Sequence, residues 1–285
     1  MRFISFRAAA GEGVAIRVGD RMYRGLTARS ASFPGTLKQL LASDEGALQR
    51  AAAILSESPL IDLREARLLP PLPAPDKIIC IGLNYADHSA ESGFEPPKYP
   101  TVFARYATSL IAHEAPIVRP GGSEQLDYEG ELVAIICKGG RHIEKARALE
   151  HVAGYSLFND ASIRDYQFKS PQWTMGKTFD DTGAFGPEFV TADELPAGAA
   201  GMRLTTRLNG TIVQDASTDD LIFDVATLVS TLSEVMTLAP GDLIVTGTPS
   251  GVGLARKPPL WMKPGDVCEV EIPGLGVLRN AVIGA

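Results

Sequence analysis

The chain has 285 residues, a formal net charge of −7, and 45% hydrophobic against 21% charged residues, the balance of an ordinary globular protein with room for one large domain or one domain and a small companion. The negative charge, with no basic stripe, argues against a nucleic-acid partner, and no apolar run reaches the 18 residues of a membrane span. The opening Met1-Arg2-Phe3-Ile4-Ser5-Phe6 lacks the apolar core and cleavage site of a secretory signal, so the expected location is cytoplasmic.

In chain order, short β-rich runs come first, at Phe3 to Arg7 and Val14 to Val18, followed by Met22-Tyr23. Leu37, Leu40, Leu41, Leu48 and Ile54 then fall at spacings that a helix gathers on one side. Pro70, Pro71, Pro73 and Pro75 can continue neither a helix nor a central strand. They mark the expected boundary between a small β-rich N-terminal domain, residues 1–70, and a larger domain, residues 71–285.

Beyond the prolines, Lys77 to Leu83, Thr101 to Tyr106, Glu129 to Cys137, Leu204 to Leu208, Asp242 to Thr246 and Val267 to Ile272 read as strands. Asp219 to Leu238 reads as a helix, with Leu221, Val225, Leu228, Leu232 and Val235 along one stripe. Pro240-Gly241-Asp242 and Pro264-Gly265-Asp266 are turns that launch strands. Twenty-eight glycines and twenty prolines suit many tight turns. The expected class is α+β, mostly β: a curved core with peripheral helices. Cys80, Cys137 and Cys268 lie in apolar runs without CxxC spacing and read as small buried hydrophobes.

The chemistry concentrates in carboxylates. In Asp127-Tyr128-Glu129-Gly130-Glu131, residues two apart on a strand share a face, roughly 6.6 to 7 Å apart. Glu129 and Glu131 therefore repel each other unless a cation joins them; the alternative is a solvated strand end. Asp160 ends the apolar run Gly154 to Phe158 and could line the same site or cap a helix from Ala161 onward. His88 and Glu91 are three apart, so on a helical turn the carboxylate could orient the imidazole as a base; a bare HxxE is more often an exposed pair. Lys177 lies in a run short of charge and could stabilise an oxyanion, or lie along the surface.

Five motifs appear together: Gly82-Leu83-Asn84-Tyr85-Ala86-Asp87-His88; Glu129-x-Glu131; Asn159-Asp160-x-Ser162-x-Arg164-Asp165; Gly176-Lys177-x-Phe179-Asp180; and Thr246-Gly247-Thr248-Pro249-x-Gly251-Val252-Gly253. In this order the chain resembles the fumarylacetoacetate hydrolase (FAH) family from about residue 77 to the C-terminus. The resemblance implies a mixed β-sandwich roll, usually a homodimer, with Mg²⁺ or Mn²⁺ held by Glu129, Glu131 and Asp160. Longer members add a further Asp that has no counterpart here, so water or substrate would complete the shell. It also implies that His88 and Glu91 activate water, that Lys177 stabilises charge, and that Arg105, Gln167 and Thr248 contact substrate. Residues from about Tyr85 to Lys98 are expected to form a lid.

The glycine-rich segment at Thr246 lacks GxxxxGK[ST] and is not a phosphate loop, and no GxSxG elbow occurs. The expected reaction is metal-dependent hydrolysis of a carbon–carbon bond in an acylpyruvate or related β-diketo acid. The alternative on the same site is isomerisation or decarboxylation of 2-oxo or 2-hydroxy-dienoic dicarboxylic acids. A non-catalytic metal- or carboxylate-binding module is a more distant reading. Trp173, Phe94, Phe179 and Phe185 could shape an apolar pocket, though aromatics at such positions are more often core.

Overall fold

A computed structural model describes residues 1–87 and 97–285. Two sheets and a few helices make up the fold. The larger sheet runs Met22–Thr27, Gly11–Gly19, Arg2–Ala8, Gly183–Thr191, Val152–Asp160, Gly130–Ile136, Leu243–Val245, Ile78–Gly82 and Thr101–Arg105, with Arg67–Leu69 and Leu110–Ile111 pairing off this path. The smaller sheet runs Thr211–Ser217, Arg203–Leu208, Val267–Ile272, Gly276–Gly284 and Ile117–Arg119. Strand dominance and the mixed sheets match the expected class.

The Gly130–Ile136 strand is buried along its whole length, which explains its unbroken apolar run. Leu132, Ala134 and Ile136 face the core between the sheets, with Leu204, Val270 and Leu278 from the smaller sheet. Val133 and Ile135 face a second core, with Cys80, Phe158 and the helical residues Leu37, Leu41 and Leu55. Glu131 continues this second face, toward the strand's N-terminal end.

The sheet crosses the proline-rich segment. Arg2–Ala8 pairs antiparallel with Gly183–Thr191, with Phe3 opposite Phe189, so residues 1–70 share their main sheet with the rest of the chain.

Helices are shorter than the apolar periodicity suggests. The N-terminal stripe is split into Leu37–Leu41 and Ala47–Ser56. Asp44 breaks it, accepting from the Gly46 N–H at 3.0 Å in the intervening turn. The expected helix over Asp219 to Leu238 is confined to Val225–Val235, because Asp224 caps it through the Thr227 N–H at 2.7 Å. Leu221 instead bridges to Tyr85, and Leu238 to Gly140. Val235, placed on the apolar stripe from sequence, is 63% exposed.

Candidate metal-dependent active site

The three carboxylates meet where two neighbouring strands end. Glu131 is opposite Phe158 and Gly130 opposite Asn159, and the Asp160 N–H donates to the Glu129 carbonyl at 2.8 Å. One ligand oxygen from each of Glu129, Glu131 and Asp160 lies within 4.8 Å of the others. Relative exposures of 5%, 1% and 0% exclude a solvated strand end. Asp160 is not a helix cap either: the following turn starts at Arg164, with Ile163 as its uncapped N-cap. The glycine between the glutamates is required by packing. A Cβ at Gly130 would lie 2.1 Å from Thr206 Oγ1 of the smaller sheet.

Cations surround this cluster. Lys177, 1% exposed, places Nζ 2.6 Å from Glu129 Oε2 and 2.7 Å from Asp160 Oδ2. Burial pulls its ammonium down, but Asp160 and Glu129 outweigh burial and hold it above the ordinary lysine value, so it stays protonated at neutral pH. Arg164 Nη2 is 2.7 Å from Glu129 and 2.8 Å from Asp127, and its Nη1 donates to Gln167 Oε1 at 2.8 Å. Glu131 accepts from the Gly247 N–H at 2.5 Å. Burial first, then the charges of Asp160 and Glu129, push the Glu131 carboxyl well above the usual range.

These residues fit a hard divalent cation. All donors are carboxylate oxygens, and the excess negative charge around Glu131 is what a dication offsets. The three ligand oxygens lie within 4.8 Å of one another, near enough for modest side-chain movement to bring them onto one ion. Among the described residues this is the one such group of metal-competent side chains, and it contains no cysteine. All three thiols are free. Cys80 and Cys268 are buried, and burial is the leading cause that raises both, Cys268 to about 12.

A cavity of about 440 Å³ opens on Glu129, Glu131 and Lys177, with Gln167 and Thr248 on its wall. Trp173 lines it too, edge-on to Phe103 at 5.6 Å. Thr248 has its hydroxyl engaged, donating to the Gly130 carbonyl at 3.0 Å and accepting from Gln214 Nε2 at 2.8 Å. Arg105, expected against the substrate, is not on the cavity wall but behind Asp160. It is 2% exposed, with Nη1 2.5 Å from Asp160 Oδ1 and Nη2 2.8 Å from Thr182 Oγ1. Of the aromatics, Phe185 is core, Phe179 packs edge-on to Tyr166, and Phe94 lies outside the described residues. His88 and Glu91, with most of the expected lid, also lie outside them.

Four residues escaped the sequence reading. Asp127 is fully buried and accepts from Arg164 Nε at 2.8 Å and from the Gly253 and Leu254 N–H groups at 2.7 and 3.0 Å. It ties Arg164 to the glycine-rich segment. Asp127 and Arg164 both sat inside or beside quoted motifs, so a signal existed. Gln214, which braces Thr248 and accepts from the Gly130 N–H at 2.9 Å, and Lys257 on the cavity wall had none.

A buried three-carboxylate cluster with an adjoining ammonium, set at the sheet end of a mixed β fold, is a group that could hold a metal ion beside an open cavity. Residues 77–283 match the fumarylacetoacetate (FAA) hydrolase C-terminal family. The chain belongs to this family of enzymes. It is 37% identical over 289 residues to human oxaloacetate tautomerase FAHD2A, mitochondrial, covering 99% of this chain and 92% of that protein. A fumarylacetoacetate hydrolase from Exiguobacterium antarcticum superposes with a TM-score of 0.84 at 34% identity, covering both chains fully. A 5-carboxymethyl-2-hydroxymuconate delta-isomerase from Mycobacterium smegmatis does so with a TM-score of 0.79 at 31% identity, again over both full chains. The word mitochondrial in the human protein's name lends no support to a cytoplasmic location. No described helix is long and apolar enough to cross a membrane.

Proposed function

We propose that the protein is a divalent-metal-dependent isomerase that interconverts the keto and enol forms of a 2-oxo dicarboxylic acid of the oxaloacetate type. This favours the isomerase alternative over carbon–carbon hydrolysis. The observation that carries it is the near full-length similarity to proteins named oxaloacetate tautomerase, with isomerase-named structures among the neighbours.

Glu129, Glu131 and Asp160 would hold Mg²⁺ or Mn²⁺, which when bound supplies Lewis-acid polarisation of the 2-oxo group. In the reaction a proton leaves C3 for a base, and one arrives on the 2-oxo oxygen. Lys177, kept charged beside Glu129 and Asp160, is suited to stabilise the enolate oxygen and supply its proton. We assign the C3 proton to His88, oriented by Glu91. The Gln167 amide N–H and the Thr248 backbone N–H would position the carboxylate next to the keto group, and Trp173 and Phe103 help keep water from the site. Arg105 would act through Asp160.

The test follows the ultraviolet absorbance of enol oxaloacetate with purified protein and Mg²⁺. The expected result is equilibration faster than the buffer rate, without release of carbon dioxide or of two acids. Chelation should abolish it, and Mg²⁺ or Mn²⁺ restore it. Activity that survives full chelation would overturn the reading. Cleavage of an acylpyruvate panel into two acids, with no effect on oxaloacetate, would return the hydrolase reading, which the Exiguobacterium structure supports. The homodimer is likewise our proposal. It is supported by the exposed Val102 and Tyr106 at the free edge of the larger sheet, and a monomeric mass on sedimentation would remove it.

A further inference from the structure

Three cations line the cavity, and they differ in how their charge is met. Lys177 lies between Glu129 and Asp160, and Arg164 is shared by Asp127 and Glu129. The third, Lys257, is exposed on the cavity wall and makes no ion pair with any described residue. The acids that line the same cavity are already engaged: Glu129 by Lys177 and Arg164, and Glu131 by the Gly247 N–H. The wall near Lys257 in sequence is otherwise apolar, with Val252, Leu254 and Ala255.

The segment that carries Lys257 is braced. Asp127 holds the Gly253 and Leu254 N–H groups. Arg256 donates to the Tyr128 hydroxyl at 3.0 Å and to the Val213 carbonyl at 2.7 Å. The Leu260 N–H returns to the Gly253 carbonyl at 2.9 Å. The ammonium is thus presented from a fixed backbone, as a recognition residue needs, and its charge lacks a partner among the described residues.

We infer that Lys257 receives the distal carboxylate of the substrate and so gives the site its preference for dicarboxylic over monocarboxylic 2-oxo or 2-hydroxy acids. This rests on the proposed 2-oxo acid chemistry for its substrate class. The carboxylate beside the keto group goes to the inner end of the cavity, and the far one to the Lys257 ammonium.

The test is binding to the Mg²⁺-loaded protein, by calorimetry, of malate and lactate, 2-hydroxy acids that differ by one distal carboxylate. Wild type is expected to bind malate roughly tenfold more tightly than lactate, the scale of one charge-assisted contact. Lys257→Gln should bring that ratio close to one by weakening malate alone, and Lys257→Arg should keep most of it. A wild-type ratio near one, no measurable malate binding, or a ratio that survives Lys257→Gln would each overturn the inference. None of these readouts involves turnover, so a failed tautomerase assay and a failed role for Lys257 are told apart.

Discussion

Arg105 reaches Asp160 from the side away from the cavity: its Nη1 lies 2.5 Å from Oδ1, while Oδ2 of the same carboxylate accepts from Lys177 at 2.7 Å. The guanidinium thus fixes which way a candidate ligand oxygen points. Arg105→Met is expected to lower Mg²⁺ affinity ten- to a hundredfold, as loss of an outer-shell partner does. Calorimetric titration with Mg²⁺ checks this. A raised KM with unchanged metal affinity would instead return Arg105 to the substrate.

Lys177 joins two buried carboxylates at the wall of the cavity. Lys177→Met should destabilise the metal-free protein by about 1–3 kcal/mol, because Glu129 and Asp160 keep Arg164 and Arg105 but each loses one charge-assisted bond, and Mg²⁺ should recover much of the loss. Thermal melts with and without Mg²⁺ decide this. An unshifted melting temperature in the metal-free variant would contradict the ion-pair geometry.

Gly176 precedes Lys177, and a Cβ there would lie 2.4 Å from the Gln167 backbone nitrogen. Backbone cannot swing aside like a side-chain tip, so Gly176→Ala must displace either Gln167 or Lys177. A shift of about 1 Å at a reacting group costs on the order of a hundredfold in rate. A drop of that size in kcat, with the fold intact by circular dichroism, is the expected result; near wild-type turnover would count against the close packing.

His113 gives a pH dependence unconnected with catalysis. Burial is the leading cause that lowers its imidazole below the ordinary 6.5, and Nδ1 accepts from the Arg279 N–H at 3.1 Å, which suits the neutral ring. The folded state therefore binds this proton less readily than the unfolded chain. The stability it contributes is present above about 6.5 and is lost as pH falls through its lower folded-state value. Urea midpoints should fall more steeply on acidification in wild type than in His113→Gln, and parallel curves would refute the assignment.

Much of this site was legible because its chemistry is local in the chain. Glu129-x-Glu131 stood out by its spacing, but its burial was not legible: a solvated strand end fitted equally, and the strand in fact begins at Gly130. Asp160 was ambiguous for a physical reason: the same residue type serves as a helix cap and as a ligand, and only the register that sets Gly130 opposite Asn159 separates the two. The position of Arg105 was not readable, since a cation behind a carboxylate and one in front of it look alike in one dimension. Gln214 and Lys257 come from segments whose contact with the carboxylates depends wholly on tertiary packing. Helix lengths were overread where apolar spacing ran past a capping aspartate, as at Asp224.

The pairing of Arg2–Ala8 with Gly183–Thr191 gives the first seventy residues a protective task. A chain cut at the prolines would leave the Phe189–Val190 end of that strand, which Leu110–Ile111 does not cover, with bare amide and carbonyl groups, next to the strand that ends in Asp160. Such an open margin recruits other chains. The amino-terminal segment therefore covers backbone beside the carboxylate cluster that would otherwise lie open.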